Sequence, residues 1–185
     1  MKNQLLKSVI VAIFSLLTTL SGFAQQKNTA FKNGEELTFK VSYGFLDAAE
    51  AKMKINPYVN TIKSRPVYRI DVTGETLGLF KLFKVNDTWG SYLDTVKIIP
   101  HQSYRFIEEG KYRKNEKVYF DQQNRKARLE LFDRDNRTLK ETKEFKLPGK
   151  VQDLVSGFYF LRTMELTNLR KGQQILITGF FWFDI

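Results

Sequence analysis

Residues 31–55, FKNGEELTFKVSYGFLDAAEAKMKI, decide the fold class. Leu37, Phe39, Val41 and Tyr43 fall on one side of an extended chain, with Glu36, Thr38, Lys40 and Ser42 on the other. Period two marks a strand with one face buried. Gly44 to Asp47 interrupts the alternation, which resumes through Ala49, Ala51, Met53 and Ile55, so the stretch reads as a hairpin with a short loop. Its second strand turns alanines inward, and these leave room. A large residue opposite, such as Phe39 or Tyr43, fills the space, or a ligand does; the close packing of interiors favours the side chain.

Downstream, the same alternation returns in VYRIDVTGE (67–75), VNDTWGSYLD (85–94), KIIPHQSYRFIEEG (97–110), KYRKNEKVYFD (111–121), KARLELFDRD (126–135) and TLKETKEFKL (138–147). Pro100 belongs at an edge or bend, since it cannot donate to a ladder. DQQNR (121–125) and DRDNR (133–137) carry the Asn and Asp of turns. ETLGLFKLFKV (75–85) reads as a loop or short helical turn, because Gly78 breaks any longer helix. Consecutive strands at hairpin spacing, with no βαβ rhythm, predict an antiparallel meander whose Lys and Arg side chains occupy the outer face.

One stretch departs from that pattern. LPGKVQDLVSGFYFLR (147–162) sets Val151, Leu154, Val155, Phe158 and Leu161, with Tyr159 beside them, on a helical stripe. Asp153 suits the first turn and Arg162 the last. The fold expected is therefore mainly β with one main helix (α+β). A curved antiparallel sheet or incomplete barrel would carry the helix, about 150–166, on its concave apolar face. The final KGQQILITGFFWFDI (171–185) begins as a strand and stops on Phe180 to Phe183. An unpaired apolar strand there is an association hazard, and the expectation is a domain lacking its C-terminal strands.

The N-terminal residues combine Lys2 and Lys7, an apolar run from Val9 to Leu20, and Gly22-Phe23-Ala24. That is the anatomy of a secretory signal over 1–24, leaving one β-rich domain over 25–185. The run falls short of the ~20 apolar residues of a membrane span, so the mature chain is not expected to be an integral membrane protein. The chain has no cysteine, so it forms no disulfide and offers no lipoprotein attachment site. A periplasmic or secreted location follows.

The formal charge is +10. Residues 111–150 hold thirteen Lys/Arg against seven Asp/Glu. Export argues against nucleic acid as the partner and leaves anionic lipid head groups or acidic glycans, beside the plain alternative of a solvated strand face.

Catalytic motifs are wanting. His101 is the one histidine, and no Gly-x-Ser-x-Gly or Gly-rich phosphate loop occurs. Asp133, Asp135 and Glu144 take calcium-loop spacing, but Arg137 and Thr138 stand where a ligand and a glycine are needed. No catalytic residue, metal or cofactor is therefore expected. Carboxylates for glycoside hydrolysis exist in Asp87, Asp94, Glu108, Glu109 and Asp153, and a cell-envelope glycan hydrolase would use a pair such as Glu109 and Asp153. A binding or carrier role for an amphipathic lipid or lipid-linked anionic ligand would instead use Phe39, Tyr43, Val155, Phe158 and Tyr159. A third reading is an envelope assembly or scaffold protein docking through aromatics 180–183.

In aggregate the chain resembles an exported bacterial family, domain of unknown function 3108. The resemblance rests on Phe31, Gly34, Glu35, Leu37, Phe39, Tyr43, Gly44, Ala49 and Ala51 in the first hairpin. Asp94, Pro100, Glu109, Gly110, Tyr112, Phe120 and Asp121 carry it in the middle, and Pro148, Gln152, Asp153, Ser156, Tyr159 and Arg162 in the helix. It implies an exported β-rich fold, continuing in family members into further strands, and no particular activity. More loosely, a curved sheet plugged by a helix is similar to the periplasmic lipoprotein-carrier fold, a likeness of fold that carries function weakly.

Overall fold

The computed structural model describes residues 28–182 except 45, 83, 84 and 136, and leaves out the side chains of Tyr43 and Leu79. The expected signal segment 1–24 lies outside the described residues. Nine strands form one antiparallel sheet: β1 (Glu36–Tyr43), β2 (Leu46–Ile55), β3 (Asn60–Ile62), β4 (Arg65–Thr76), β5 (Asn86–Asp94), β6 (Pro100–Glu109), β7 (Tyr112–Asp121), β8 (Lys126–Phe132) and β9 (Leu139–Lys146). The order is β1-β2-β4-β5-β6-β7-β8-β9, and short β3 pairs with the start of β4. The sheet does not close into a barrel. A 3₁₀ turn (Gly78–Leu82) occupies the ambiguous stretch between β4 and β5.

Residues opposite one another across a ladder share a face. Leu37, Met53, Val72, Trp89, Arg105, Glu116 and Leu131 form one row across seven strands. Ile55, Ile70, Ser91, Ser103, Val118 and Leu129 form the next. This is the inner face, and it carries both hydrophobic clusters. The expectation that cations stay outside fails here. Arg105 and Lys114 sit on the inner face, where Glu116 takes Arg105 at 2.6 Å and Lys114 at 3.3 Å. Pairing makes burial of these charges tolerable.

The outer face gains aromatic rings in exchange. Tyr104 lies over Gly90, the residue opposite it, and its hydroxyl donates to Asp71. A Cβ at Gly90 would collide with that ring, so the strand glycine is a notch for the tyrosine.

Helix α1 (Leu154–Arg162) is shorter than the predicted 150–166. Residues 151–153 are extended, and Gln152 makes a parallel bridge to Gly179. Asp153 is not in the first turn but is the N-cap: its carboxylate accepts from the Ser156 amide at 2.9 Å, and its own amide donates to Ser156 Oγ at 2.8 Å. Starting the helix there rotates the stripe, so Val155, Ser156 and Tyr159 are buried while Leu154 and Leu161 are not.

Two covers share the inner face. α1 packs on the β2–β5 half with Phe31, Ile55, Ile70 and Leu93. Over the other half, a strap, residues 173–182, forms no strand beyond the bridge at Gly179, and its Phe180 and Trp182 pack against Phe120 and Phe145. Of the aromatic run expected to dock elsewhere, these two are turned inward, Phe181 is half exposed and Phe183 lies outside the described residues.

Candidate functional site

α1 is fixed at both ends, and this positions everything near it. At its start Ser91 Oγ donates to Asp153 Oδ2 at 2.7 Å, tying the cap to the middle of the sheet. Burial pushes the Asp153 carboxyl up from its ordinary value, against the opposing hydrogen bonds from Ser156 and Ser91. At its end Arg162 grips both oxygens of Glu35, at 2.5 and 2.9 Å, and donates to the Ala30 carbonyl. The guanidinium lies over the rings of Phe31, Phe158 and Tyr159.

The five residues singled out for ligand binding divide. Tyr159 and Val155 belong to the core. Burial, then the nearby Glu35 carboxylate, pushes the Tyr159 phenol up to about 12. Phe158 is half-buried, and Phe39, 42 % exposed, meets it edge-on at 6.1 Å. Rings therefore step from the interior to the surface: Tyr159, Phe158, Phe39. The backbone of Tyr43 ends β1, and its side chain lies outside the described residues.

The surface these steps reach is apolar and only partly covered. Ala51 sits between Phe39 and Gly74 in register, and nothing stands within 4 Å of where a Gly74 side chain would begin. Val41, opposite Ala49, is 59 % exposed. On the helix, Leu154, Phe158 and Leu161 share a side by their spacing. Leu154 is 53 % exposed and Leu161 37 %. The predicted stripe thus exists, but half of it looks away from the core. Ala51, one of the two alanines at which the sequence signalled room, lies opposite Phe39 in the ladder.

A model described as "Protein of unknown function (DUF3108)" matches residues 38–181, from within β1 to the strap. The chain belongs to the DUF3108 family. Comparison with curated proteins and with solved structures returns no match.

Elsewhere in this DUF3108 chain the polar candidates are taken up by structure. A cavity of about 40 Å³ lies between α1 and the strap, lined by Trp89, Arg105, Asp153, Val155 and Trp182 among others. It has room for a water molecule or two and not for a substrate. Arg105 stacks on Trp89 and donates to the Trp182 carbonyl at 2.8 Å, bracing the strap. Sequence reasoning missed this group, because an arginine in an alternating strand reads as solvent-facing.

Glu109 and Asp153, one such pair for hydrolysis, do not come together. Asp153 bonds Ser91, which faces Ser103, and Glu109 stands six residues further along β6. At ~3.3 Å per residue the gap is roughly 20 Å, far past the ~6.5–9.5 Å an inverting hydrolase uses. His101 Nε2 lies 2.9 Å from Asp94 Oδ2, which also accepts from Arg65 at 2.6 Å. Burial raises the Asp94 carboxyl, but Arg65, the Lys97 amide, His101 and the Val96 amide outweigh it and hold the group well below the usual carboxylate range. Asp135 caps the β8–β9 turn, accepting from the Arg137 and Thr138 amides. Among the described residues no three His, Cys, Asp or Glu side chains group as metal ligands.

Proposed function

We propose that this chain is a non-catalytic envelope protein that binds or carries an amphipathic, anionic, lipid-like ligand in the periplasm. One observation carries the reading. Phe158 on α1 meets Phe39, which lies beside Val41 over sheet positions Ala49, Ala51 and Gly74 with little side chain of their own, and Leu154 and Leu161 leave further apolar surface exposed on the helix. An acyl chain laid there would cover apolar surface worth ~25 cal/mol per Å². The net charge of +10 favours a ligand with an anionic end. Among the described residues no helix is long and apolar enough to cross a membrane, which is compatible with this role.

Native mass spectrometry of protein from the periplasm, with lipid extraction of the same sample, tests the reading. A stoichiometric acyl lipid is expected, and Ala51→Trp, which fills the floor, should abolish it while the protein stays folded by circular dichroism. A folded protein that arrives empty and takes up neither oleate nor phosphatidylglycerol would remove this function.

A further inference from the structure

One end of the sheet forms a second surface, separate from the apolar floor. Four connections lie along it in sheet order: β1–β2, β4–β5, β6–β7 and β8–β9. Two strand spacings separate each from the next, roughly 10 Å. The bridge of Val85 to Glu109 sets the middle two side by side. Each of the four presents a large apolar side chain to solvent: Leu46, Leu82, which is 87 % exposed, and Tyr112 and Leu139, both half exposed. One exposed leucine on a surface is ordinary, but one such side chain at each of four neighbouring tips is a pattern. At the opposite end Tyr58, Val59 and Val96 are exposed, whereas the Lys63-Ser64 and 122–125 turns carry no exposed large apolar residue.

Cations stand among these apolar side chains. Taken with one residue on either side, the four connections (43–46, 76–86, 109–112 and 132–139) hold five Lys/Arg and three Asp/Glu. The ion pairs at this end do not consume the excess. Asp133 pairs with Lys140, Asp47 with Lys40 and Glu108 with Arg113, so each of these carboxylates takes a cation from outside the five. Asp135 is held within its own turn by the Arg137 and Thr138 amides. Among the described residues the side chains of Lys81, Lys111, Arg134 and Arg137 make no ion pair.

The spacing of the apolar side chains selects the partner. A protein interface needs a contiguous apolar centre from which charge is largely excluded. These four side chains are too far apart to make one, and Lys and Arg lie between them. A bilayer surface makes no such demand. Fluid lipid takes separated apolar side chains one at a time, with aromatic rings at the head-group level and Lys and Arg against the head groups. The unpaired cations then favour anionic lipid. We propose that this end of the sheet docks the protein on an anionic bilayer surface through Leu46, Leu82, Tyr112 and Leu139.

Vesicle flotation of the mature protein tests this. The protein should rise with vesicles of phosphatidylethanolamine and phosphatidylglycerol, and bind vesicles of phosphatidylcholine alone several-fold more weakly. Leu82→Asp and Leu139→Asp, both at exposed positions, should each weaken binding about tenfold, with the circular dichroism spectrum unchanged. Lys111→Glu should weaken it strongly at low salt and less at high salt. Tyr58→Asp, at the opposite end, and Ala51→Trp, on the floor, should leave it unchanged, so loss of cargo and loss of docking are read separately. No flotation, equal affinity for the two kinds of vesicle, or an equal loss with Tyr58→Asp or Ala51→Trp would each overturn the proposal. So would a self-association without lipid, seen by sedimentation velocity and abolished by Leu82→Asp, which would give these tips to a second copy of the chain.

Discussion

Two covers lie on one sheet face, and they are held by different physics. α1 is fastened by directional contacts: Asp153 to Ser91 at its start, Arg162 to Glu35 at its end, and Tyr159, with no exposed surface, beneath it. The strap 173–182 has two backbone bonds to Gln152, one from Arg105, and the ring contacts of Phe180 and Trp182. A cover locked by a buried cap and an ion pair is part of the cooperative core. One held by rings near the β9 edge can open by itself. The expectation is a sheet that pairs a permanent wall with a removable one.

Tyr159→Ala should break the permanent wall. Emptying a fully buried aromatic site costs about 3–5 kcal/mol, or roughly 10 °C in melting temperature for a chain of this size. Thermal and urea unfolding would show a single transition shifted as a whole. A loss below about 1 kcal/mol would mean α1 is not integral to the core, and the comparison would collapse.

Next in size is the cap. Asp153→Ala removes an N-cap and leaves the Ser91 hydroxyl buried without its acceptor, at a cost of about 2–3 kcal/mol. Asp153→Asn keeps cap geometry and should cost far less. The two should also diverge with pH. Because burial raises the folded carboxyl above its unfolded value, the folded state binds the proton more tightly. Wild-type stability relative to Asp153→Asn should therefore fall as pH rises from ~4 through the folded value. Urea unfolding of both proteins at pH 4 and pH 7 measures it; an advantage of the wild type that grows toward pH 7 would reverse the assignment.

How much of this was legible follows from the same contrast. Strands with one apolar side announced themselves, and the first hairpin pairs Phe39 with Ala51 in a ladder that shifts register only between Val41 and Ser42. The helix was visible as a period of three to four, but its start was not. Val151 fits the stripe yet is buried in the other cluster, because the cap at Asp153 sets the phase, and the cap's partner Ser91 is 62 residues distant. Apolar content alone would turn Tyr104 and Phe106 inward from SYRFIEEG. Gly90 reverses this by making an outer notch for Tyr104, and Glu116 and Lys114 then complete a charged group around Arg105. Such exchanges depend on neighbours far along the chain. The same limit hid the outer-face row of Gln102, Tyr119 and Arg128, which share no motif and meet through register alone.

The smallest effect distinguishes the two covers most sharply. Trp182 is half-buried, so Trp182→Ala forfeits only part of a tryptophan's burial, about 1–2 kcal/mol. Its cost should fall on local opening rather than on the global transition. Hydrogen exchange reads the two separately. The amides of Gln152 and Phe180, which donate to Thr178 and Gln152, should exchange faster in the variant, while the Gly157 amide, bonded within α1 to Asp153, keeps its protection. Equal acceleration at all three would make strap and helix one cooperative unit, with no removable wall. Acceleration confined to the first two would leave the strap as the part of the inner face that can lift while the α1 core stays intact.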